Sequence, residues 1–321
     1  MQTANAQLAV SNLIKNKILI AVAEHDEYDM QQTIDSAIDN AYNPDLISFA
    51  ICSTNRSAEN KLTSRVELYN VNINFYSALG VGFNKIVPYI VNDDSHEFVL
   101  TIDAHSIFKK HWDLILLQNY NDLSTKYENF VIAPGVPIYV DKGNEILYSG
   151  EDFPRDNLEL YLTLEASPTG DKRLTSHAKP VDWHKLEENY KETFSPSGNC
   201  MFAKKEVFKE FIIDPLLVWS GDQEALALRM CTRGYKIFTI RDRFLYTKQK
   251  NRDYWTQHPS DWRNHTNNPV WTAMFANSDR RLKDLFTGKI LGYWGAPDKE
   301  SLEEYTAKVK VDFEEMYYPE L

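Results

Sequence analysis

The sequence predicts an α/β protein with a mixed, mostly parallel central sheet, and three observations carry that expectation. Ile18-Leu19-Ile20-Ala21-Val22-Ala23 and Phe98-Val99-Leu100-Thr101-Ile102 are largely apolar runs without polar alternation, as strands covered on both faces require. After the first run, Met30, Ile34, Ala37, Ile38 and Ala41 recur at helical spacing before a second strand-like stretch, Leu46 to Ser53, which makes a β-α-β unit. Both apolar runs end abruptly, in Glu24-His25-Asp26-Glu27 and in Asp103-Ala104-His105. Ligands of open α/β sheets sit at the carboxyl ends of strands, so these polar ends are where a substrate is expected.

The elements follow in order. Asn43-Pro44 closes the first helix, because a residue before proline disfavours the α region. Leu79 to Phe83, with Gly80-Val81-Gly82, reads as a helix end or turn, and Lys85 to Val91 as a strand that Pro88 confines to an edge or a bulge. Trp112, Ile115 and Leu116 lie on a helix leaving the second strand end. From Lys142 to Phe194, glycines and prolines punctuate polar stretches, and long loops with one mobile lid are expected. Order resumes at Ser197-Gly198-Asn199-Cys200-Met201-Phe202, followed by a helix through Val207 and Phe211 that Asp214-Pro215 breaks. Gly221-Asp222-Gln223-Glu224 opens the next helix, Gly234 lies near its end, and Tyr235 to Ile240 is a strand. Leu302, Tyr305, Val309, Phe313 and Met316 mark one face of a terminal amphipathic helix with acids on the other. The expected organisation is one domain over residues 1–295, comprising a first half near 15–140, a loop-rich insert at 142–194 and a second half near 195–295, then the helix at 296–321.

Composition narrows the function. Lys+Arg 35 against Asp+Glu 46 leaves −11, which argues against a surface coated for non-specific phosphate binding while leaving room for a local basic patch. Three cysteines, Cys52, Cys200 and Cys231, form no CxxC pair and no disulfide framework. No run reaches the roughly 18 apolar residues of a membrane span, so a cytoplasmic protein is expected. The chain holds no GxxxxGK[ST] loop, HExxH helix or GxSxG elbow.

Three places could carry chemistry. Asp103-Ala104-His105 puts a carboxylate and an imidazole on one side of an extended segment, where both can approach one divalent cation or one diphosphate. Asp222, with Gln223 and Glu224 beside it, stands at a helix start where the macrodipole favours acids on structural grounds alone. Its functional reading is a partner for an acceptor hydroxyl, with Trp219 as an apolar platform for a sugar face. Residues 241–265 carry Arg241, Arg243, Lys248, Lys250, Arg252 and Arg263, interleaved with Tyr246, Tyr254, Trp255 and Trp262. That combination suits a diphosphate or a nucleic acid whose bases stack.

The residues also resemble a family. Ile18 to Val22, then Thr33-Ile34-Asp35-Ser36-Ala37 and Asn40-Ala41-Tyr42-Asn43-Pro44-Asp45, are similar to the opening of the cytoplasmic polypeptide N-acetylglucosaminyltransferases. Ile102-Asp103-Ala104-His105 with Phe108 and Trp112-Asp113 resembles that family's "IDSH…F…WD" motif. Asp214-Pro215, Gly221-Asp222-Gln223, Ala227, Arg229, Thr232 and Gly234-Tyr235 resemble its "DP…GEE…AR.WT.GY" block. The resemblance implies a Rossmann-like GT-A fold, a UDP-sugar donor and a divalent metal, Mn2+ or Mg2+, with Asp103 meeting ribose or metal and His105 the metal. It also implies transfer with retention, in which the departing phosphate takes the acceptor proton and Asp222, beside Glu224, orients the acceptor. Donor binding then falls to Ala23, Glu24, His25, Asp103, Ala104 and Lys248, and acceptor binding to Trp219, Gly221, Asp222 and Gln223.

Two departures stand out. Glu24-His25-Asp26-Glu27 replaces the family's Ser-Tyr-Arg-Asp-like stretch at the nucleotide, and Leu245-Tyr246-Thr247-Lys248 replaces a stretch with a late metal-binding histidine. Either His258 or His265 substitutes for that histidine, or Lys248 supplies positive charge at the diphosphate. Two acceptors fit, a protein hydroxyl or a hydroxymethylated cytosine in phage DNA, the latter made accessible by base flipping. The rival class is a non-catalytic nucleotide-sugar or carbohydrate binding protein.

Overall fold

The computed structural model describes residues 16–24, 29–53, 66–70, 84, 86–87, 95–141, 146–148, 158–166, 171–198, 200–217, 221–248 and 269–319. β1 (Ile18–Glu24), α1 (Met30–Asn40) and β2 (Ile47–Ser53) form the expected β-α-β unit, and β3 (Val66–Asn70) extends it. β4 (Phe98–Asp103) and β5 (Ser106–Phe108) flank the D-x-H turn, and α2 (Trp112–Ser124) and β6 (Phe130–Ile132) follow. Then come β7 (Ile138–Asp141), β8 (Ile146–Tyr148), β9 (Leu158–Ala166), β10 (Lys172–Pro180), β11 (Tyr190–Thr193) and β12 (Cys200–Lys204). The chain continues through α3 (Lys205–Glu210), α4 (Asp222–Cys231), β13 (Lys236–Ile240), β14 (Leu245–Lys248), α5 (Pro269–Phe286) and α6 (Lys299–Val309).

The main sheet has the order β11-β13-β6-β12-β4-β1-β2-β3. Parallel pairs join β1 to β2 and β4, β2 to β3, and β6 to β13. Antiparallel pairs join β12 to β4 and β6, and β11 to β13. The sheet is therefore mixed and mostly parallel. β9 and β10 form a separate hairpin, and β5-β14-β7-β8 a second sheet.

Both faces of the main sheet are covered, which is why its strands read as continuous apolar runs. Ile18, Ile20, Val22, Leu100 and Ile102 pack with α1 and α2 residues such as Ile34, Trp112 and Leu116. Leu19, Ala21, Val99 and Met201 pack on the other side with Val207, Phe208, Leu226 and Met230. A third core joins the hairpin (Leu162, Leu174) to α4, α5 and the C-terminal segment (Leu228, Leu285, Tyr305, Phe313).

Several expectations change. Ile86 and Val87 are helical where a strand over Lys85 to Val91 was expected, and the other residues of that stretch lie outside the described ones. The loops expected at 142–194 contain strands, because the Leu158–Leu164 alternation buries Leu162 against the third core. The C-terminal helix stops at Val309, where Lys310 takes a left-handed conformation, and Phe313 and Met316 reach the core from a following 3-10 turn. The turn expected at Gly80-Val81-Gly82 lies outside the described residues.

The motif block from Asp214 to Tyr235 does structural work. Arg229, 2% exposed, donates to the carbonyls of Tyr293, Ile212 and Glu210, and its guanidinium lies 4.8 Å from the Tyr293 ring. Asp214 accepts from Arg281 Nε at 2.7 Å and from Leu216 N at 3.0 Å.

α1 and α2 are tied to the strand ends by polar side chains. Trp112 Nε1 donates to Ala37 O, and Asp113 accepts the N–H groups of Tyr42 and Asn43. Thr33 and Ser36, one helical turn apart, accept the N–H groups of Ser106 and Phe108 at 2.9 and 2.8 Å. Thr33 Oγ1 also donates to Ala104 O at 2.8 Å. One hydroxyl thus satisfies a donor and an acceptor of a buried turn. Thr33→Val is expected to orphan both groups and cost about 1–3 kcal/mol, read as a lower urea midpoint at unchanged slope, with Ser36→Ala costing less.

Candidate active site

β4 sits in the middle of the main sheet, and its register places Asp103 beside Ala23 at the carboxyl end of β1. The chain then turns so that His105, 9% exposed, faces back: its Nε2 lies 3.5 Å from Asp103 Oδ2. Ser106 Oγ donates to Asp103 O, and Thr33 holds the turn from α1. Lys248, last residue of β14, donates its backbone N–H to His105 O at 2.8 Å, while its ammonium pairs with Asp29 at 2.7 Å. Asp29 O in turn accepts the Thr33 N–H. Asp103, Ala104, His105 and the backbone of Lys248 therefore lie together at this turn. Ala23 and Glu24 end the adjacent strand, whereas His25 lies outside the described residues.

A cleft of about 360 Å³ opens over Asp103, bounded by Gly135, Val136, Ser197, Gly198, Gln223 and the hairpin residues Leu160, Ser176 and Ala178. Gln223 occupies the wall because Gly198 has no side chain: a Cβ there would overlap the Gln223 amide. Gly221, at φ +86, precedes α4 in a left-handed conformation, and a Cβ would press on Leu282. Of the acceptor residues expected from sequence, Gln223 lines the cleft, Asp222 lines an adjoining apolar cavity of about 70 Å³ with Thr101, Met201 and Leu226, and Trp219 lies outside the described residues. The hairpin's part in the cleft departs from the loops expected at 142–194; the period-2 spacing of Leu158, Leu160, Leu162 and Leu164 is the sequence signal for it.

Glu224 lies behind that wall, 7% exposed, where its carboxylate accepts the backbone N–H of Ser176. Burial, aided by the charge of Asp222, pushes its pKa up to about 7, and burial also raises Asp222 above the usual carboxylate range. Glu159 contrasts: burial opposes its charge too, but hydrogen bonds from Lys179 and Lys191 outweigh that and lower its pKa.

The donor set at the strand end suits a divalent cation. Two ligands each about 2.1 Å from a metal lie at most about 4.2 Å apart, and the Asp103–His105 separation of 3.5 Å satisfies this. Among the described residues, no group of three or more His, Cys, Asp or Glu converges on one point. The strand Leu245–Lys248 carries no histidine, and His258 and His265 lie outside the described residues.

The raised Glu224 pKa makes a prediction about stability. A group protonated more readily when folded favours the folded state at low pH, and that advantage fades as pH rises from about 4.5 through about 7. Glu224→Gln mimics the protonated acid, so it is expected to flatten the fall in stability between pH 5 and 8, by up to about 3 kcal/mol, in denaturant titrations at stepped pH.

No curated protein matches the chain. The solved structure of GalNAc-T7 with UDP, GalNAc and Mn2+ superposes at a TM-score of 0.58 with 14% identity, covering 93% of this chain and 55% of that one. The chain thus spans about half the length of that neighbour. S. aureus TarS 1-349 in complex with UDP-GlcNAc gives a TM-score of 0.44 at 10% identity, over 93% of this chain and 89% of that one, too slight a likeness to assign a fold. Among the described residues no helix is long and apolar enough to cross a membrane. A family model described as "Glycosyltransferase (GlcNAc)" matches residues 91–315. Its match covers most of the chain and includes the D-x-H turn, the cleft and α4, so the chain, which has the GT-A fold, belongs to the glycosyltransferase (GlcNAc) family.

Proposed function

We propose that the protein transfers a sugar from a UDP-sugar donor to an acceptor hydroxyl, with retention of configuration. The observation that carries this reading is the Asp103–His105 pair at a strand end, beside Lys248 and open to a cleft. Asp103 and His105 would hold a divalent cation, Mn2+ or Mg2+, which would neutralise charge on the departing diphosphate. Lys248 brings a fixed positive charge near the same turn. Ala23, Glu24, His25 and Ala104 complete the donor end in this reading.

Retention is supported by which acids face the cleft. Asp103 is the one carboxylate among the described residues that line it, and a carboxylate holding a cation is a poor base. Asp222 and Glu224 stand off the cleft, in the adjoining cavity and behind the wall. The departing phosphate then takes the acceptor proton. Gln223 faces the acceptor, while Asp222, Glu224 and Gly221 shape the helix start that carries it.

For the acceptor, a protein hydroxyl is the first reading. A second, hydroxymethylcytosine in phage DNA, is favoured by one feature: a groove of about 700 Å³ alongside β5 is bordered by Lys109, Lys110 and Tyr246, with Arg243 lying 5.6 Å from the Tyr246 ring. Transfer of labelled sugar to host protein extract but not to modified DNA, or the reverse, decides between them. A cytoplasmic location fits both acceptors.

Mn2+ with a UDP-sugar is expected to raise the melting temperature, by an amount equivalent to about 2.7 kcal/mol at a hundredfold excess over Kd. Asp103→Ala should fold, lose the metal-dependent part of that shift and lose transfer. Transfer at the unaltered rate in that variant would remove Asp103 from the active centre, and donor binding without any transfer by the unsubstituted protein would leave a binding protein.

A further inference from the structure

We infer that Ser176 donates a hydrogen bond from the hairpin wall of the cleft to an oxygen of the sugar being transferred or of its acceptor, and that Ser195 and Glu224 position it for that bond. The inference rests on the reading of the Asp103 cleft as a nucleotide-sugar site, and it adds a recognition element on the opposite wall.

The geometry constrains the Ser176 hydroxyl closely. Ser176 lies on β10, paired with Leu162 of β9, and lines the same cleft as Asp103 and Gln223. Its backbone N–H is not spent on the hairpin ladder but donates to the Glu224 carboxylate on α4. This ties the hairpin to the helix that carries Gln223. The Ser176 Oγ lies 2.7 Å from the Oγ of Ser195.

Ser195 decides the direction of that bond. It is completely buried, and its other recorded contact, to Pro196 O, is long at 3.4 Å. A hydroxyl has one proton and two acceptor sites, so the short contact is the better use for the Ser195 proton. With Ser195 donating to Ser176, the Ser176 proton turns outward into the cleft. A donor aimed at a partly enclosed cleft, held on both sides by groups outside it, suits an oxygen acceptor such as a sugar hydroxyl. Such sites discriminate because a missing partner leaves a buried polar group unpaired.

The groups facing Glu224 are consistent with a positioning role. Asp222 from its own helix and Tyr305 from α6 are close enough to couple electrostatically with it, and the Ser176 N–H is donated from β10. None of these is a cation, so Glu224 is held by hydrogen bonds rather than by an ion pair.

The test is a double-mutant cycle read with UDP and UDP-N-acetylglucosamine as probes. UDP binding would be measured by calorimetry, and donor hydrolysis to UDP by steady-state kinetics. Ser176→Ala should lower kcat/KM for hydrolysis about tenfold while UDP affinity stays within twofold. Ser195→Ala should lose a comparable amount, and Ser176→Ala/Ser195→Ala no more than Ser176→Ala alone, since Ser195 acts through Ser176. Glu224→Leu should reduce hydrolysis in the same way and Glu224→Gln should restore it, because the amide oxygen can still accept the Ser176 N–H. A matching loss of UDP-N-acetylglucosamine affinity places the bond on the donor sugar. A loss of transfer that appears only with acceptor present places it on the acceptor. Unchanged kinetics in Ser176→Ala, or additive losses in the cycle, would overturn the inference and leave the donor reading intact. Failure of the unsubstituted protein to bind UDP would overturn the donor reading itself.

Discussion

The site depends on a turn that must be buried and yet keep its polar groups satisfied. Between Asp103 and Ser106 the chain leaves the main sheet and enters the second one, and Ala104 O and Ser106 N–H find their partner in a side chain of α1. Thr33 supplies both missing partners with a single hydroxyl, and its own N–H is bound to Asp29 O. Asp29 also receives the Lys248 ammonium, and Lys248 N–H closes on His105 O. The acid, the imidazole and the lysine thus belong to one hydrogen-bonded circuit spanning β4, α1 and β14. Loosening any member moves the others, which is how a precise 3.5 Å separation is maintained at the end of a strand.

Much of this was legible in the sequence because burial on both faces leaves a plain signature. β1, β2 and β4 read as apolar runs, and α1, α2 and α4 as 3.6-residue patterns with identifiable ends. The D-x-H turn was legible for the same reason, as a polar break after a buried strand. The hairpin was not: the exposed residues of β9 and β10 include Tyr161, Glu165, Lys172, Arg173 and Lys179, even Glu159 is a buried acid, and flanking Gly and Pro residues make a polar, half-buried ribbon look like loop. Ile86 and Val87 misled in the opposite way, as β-branched residues beside Pro88 that the fold places in helix. Thr33 and Ser36 were visible only as letters of a family block, because their partners lie some seventy residues away in the chain.

The buried acids divide by whether a cation accompanies them. Glu159 has Lys179 and Lys191, and Asp214 has Arg281. These pairs hold the hairpin and α5 in place, away from the cleft. Among the described residues Glu224 and Asp222 have no such partner; they stand two positions apart at the start of α4, burial raises the pKa of both, and the charge of Asp222 raises that of Glu224 further. A purely structural design would place a basic residue or an apolar one there. Keeping two uncompensated acids beside the cleft costs stability, and such costs concentrate where function constrains the sequence.

The motif blocks separate scaffold from chemistry in a way their letters do not. Asp214, Arg229, Thr232 and Gly234 stand in the block that resembles a glycosyltransferase signature, yet each serves the fold: an ion pair to Arg281, three carbonyls capped by one guanidinium, a hydroxyl bonded back to Leu228 O, and a left-handed turn. Among the described residues of the same block only Gln223 reaches the Asp103 cleft, and it does so because Gly198, from a different segment, leaves room. The Arg229 cluster anchors α4 against Tyr293 and Phe211, and α4 in turn presents Gln223 and holds Ser176 through Glu224. In this chain the block therefore supplies the stiffness behind the cleft wall, and Gln223 is the residue it presents in front.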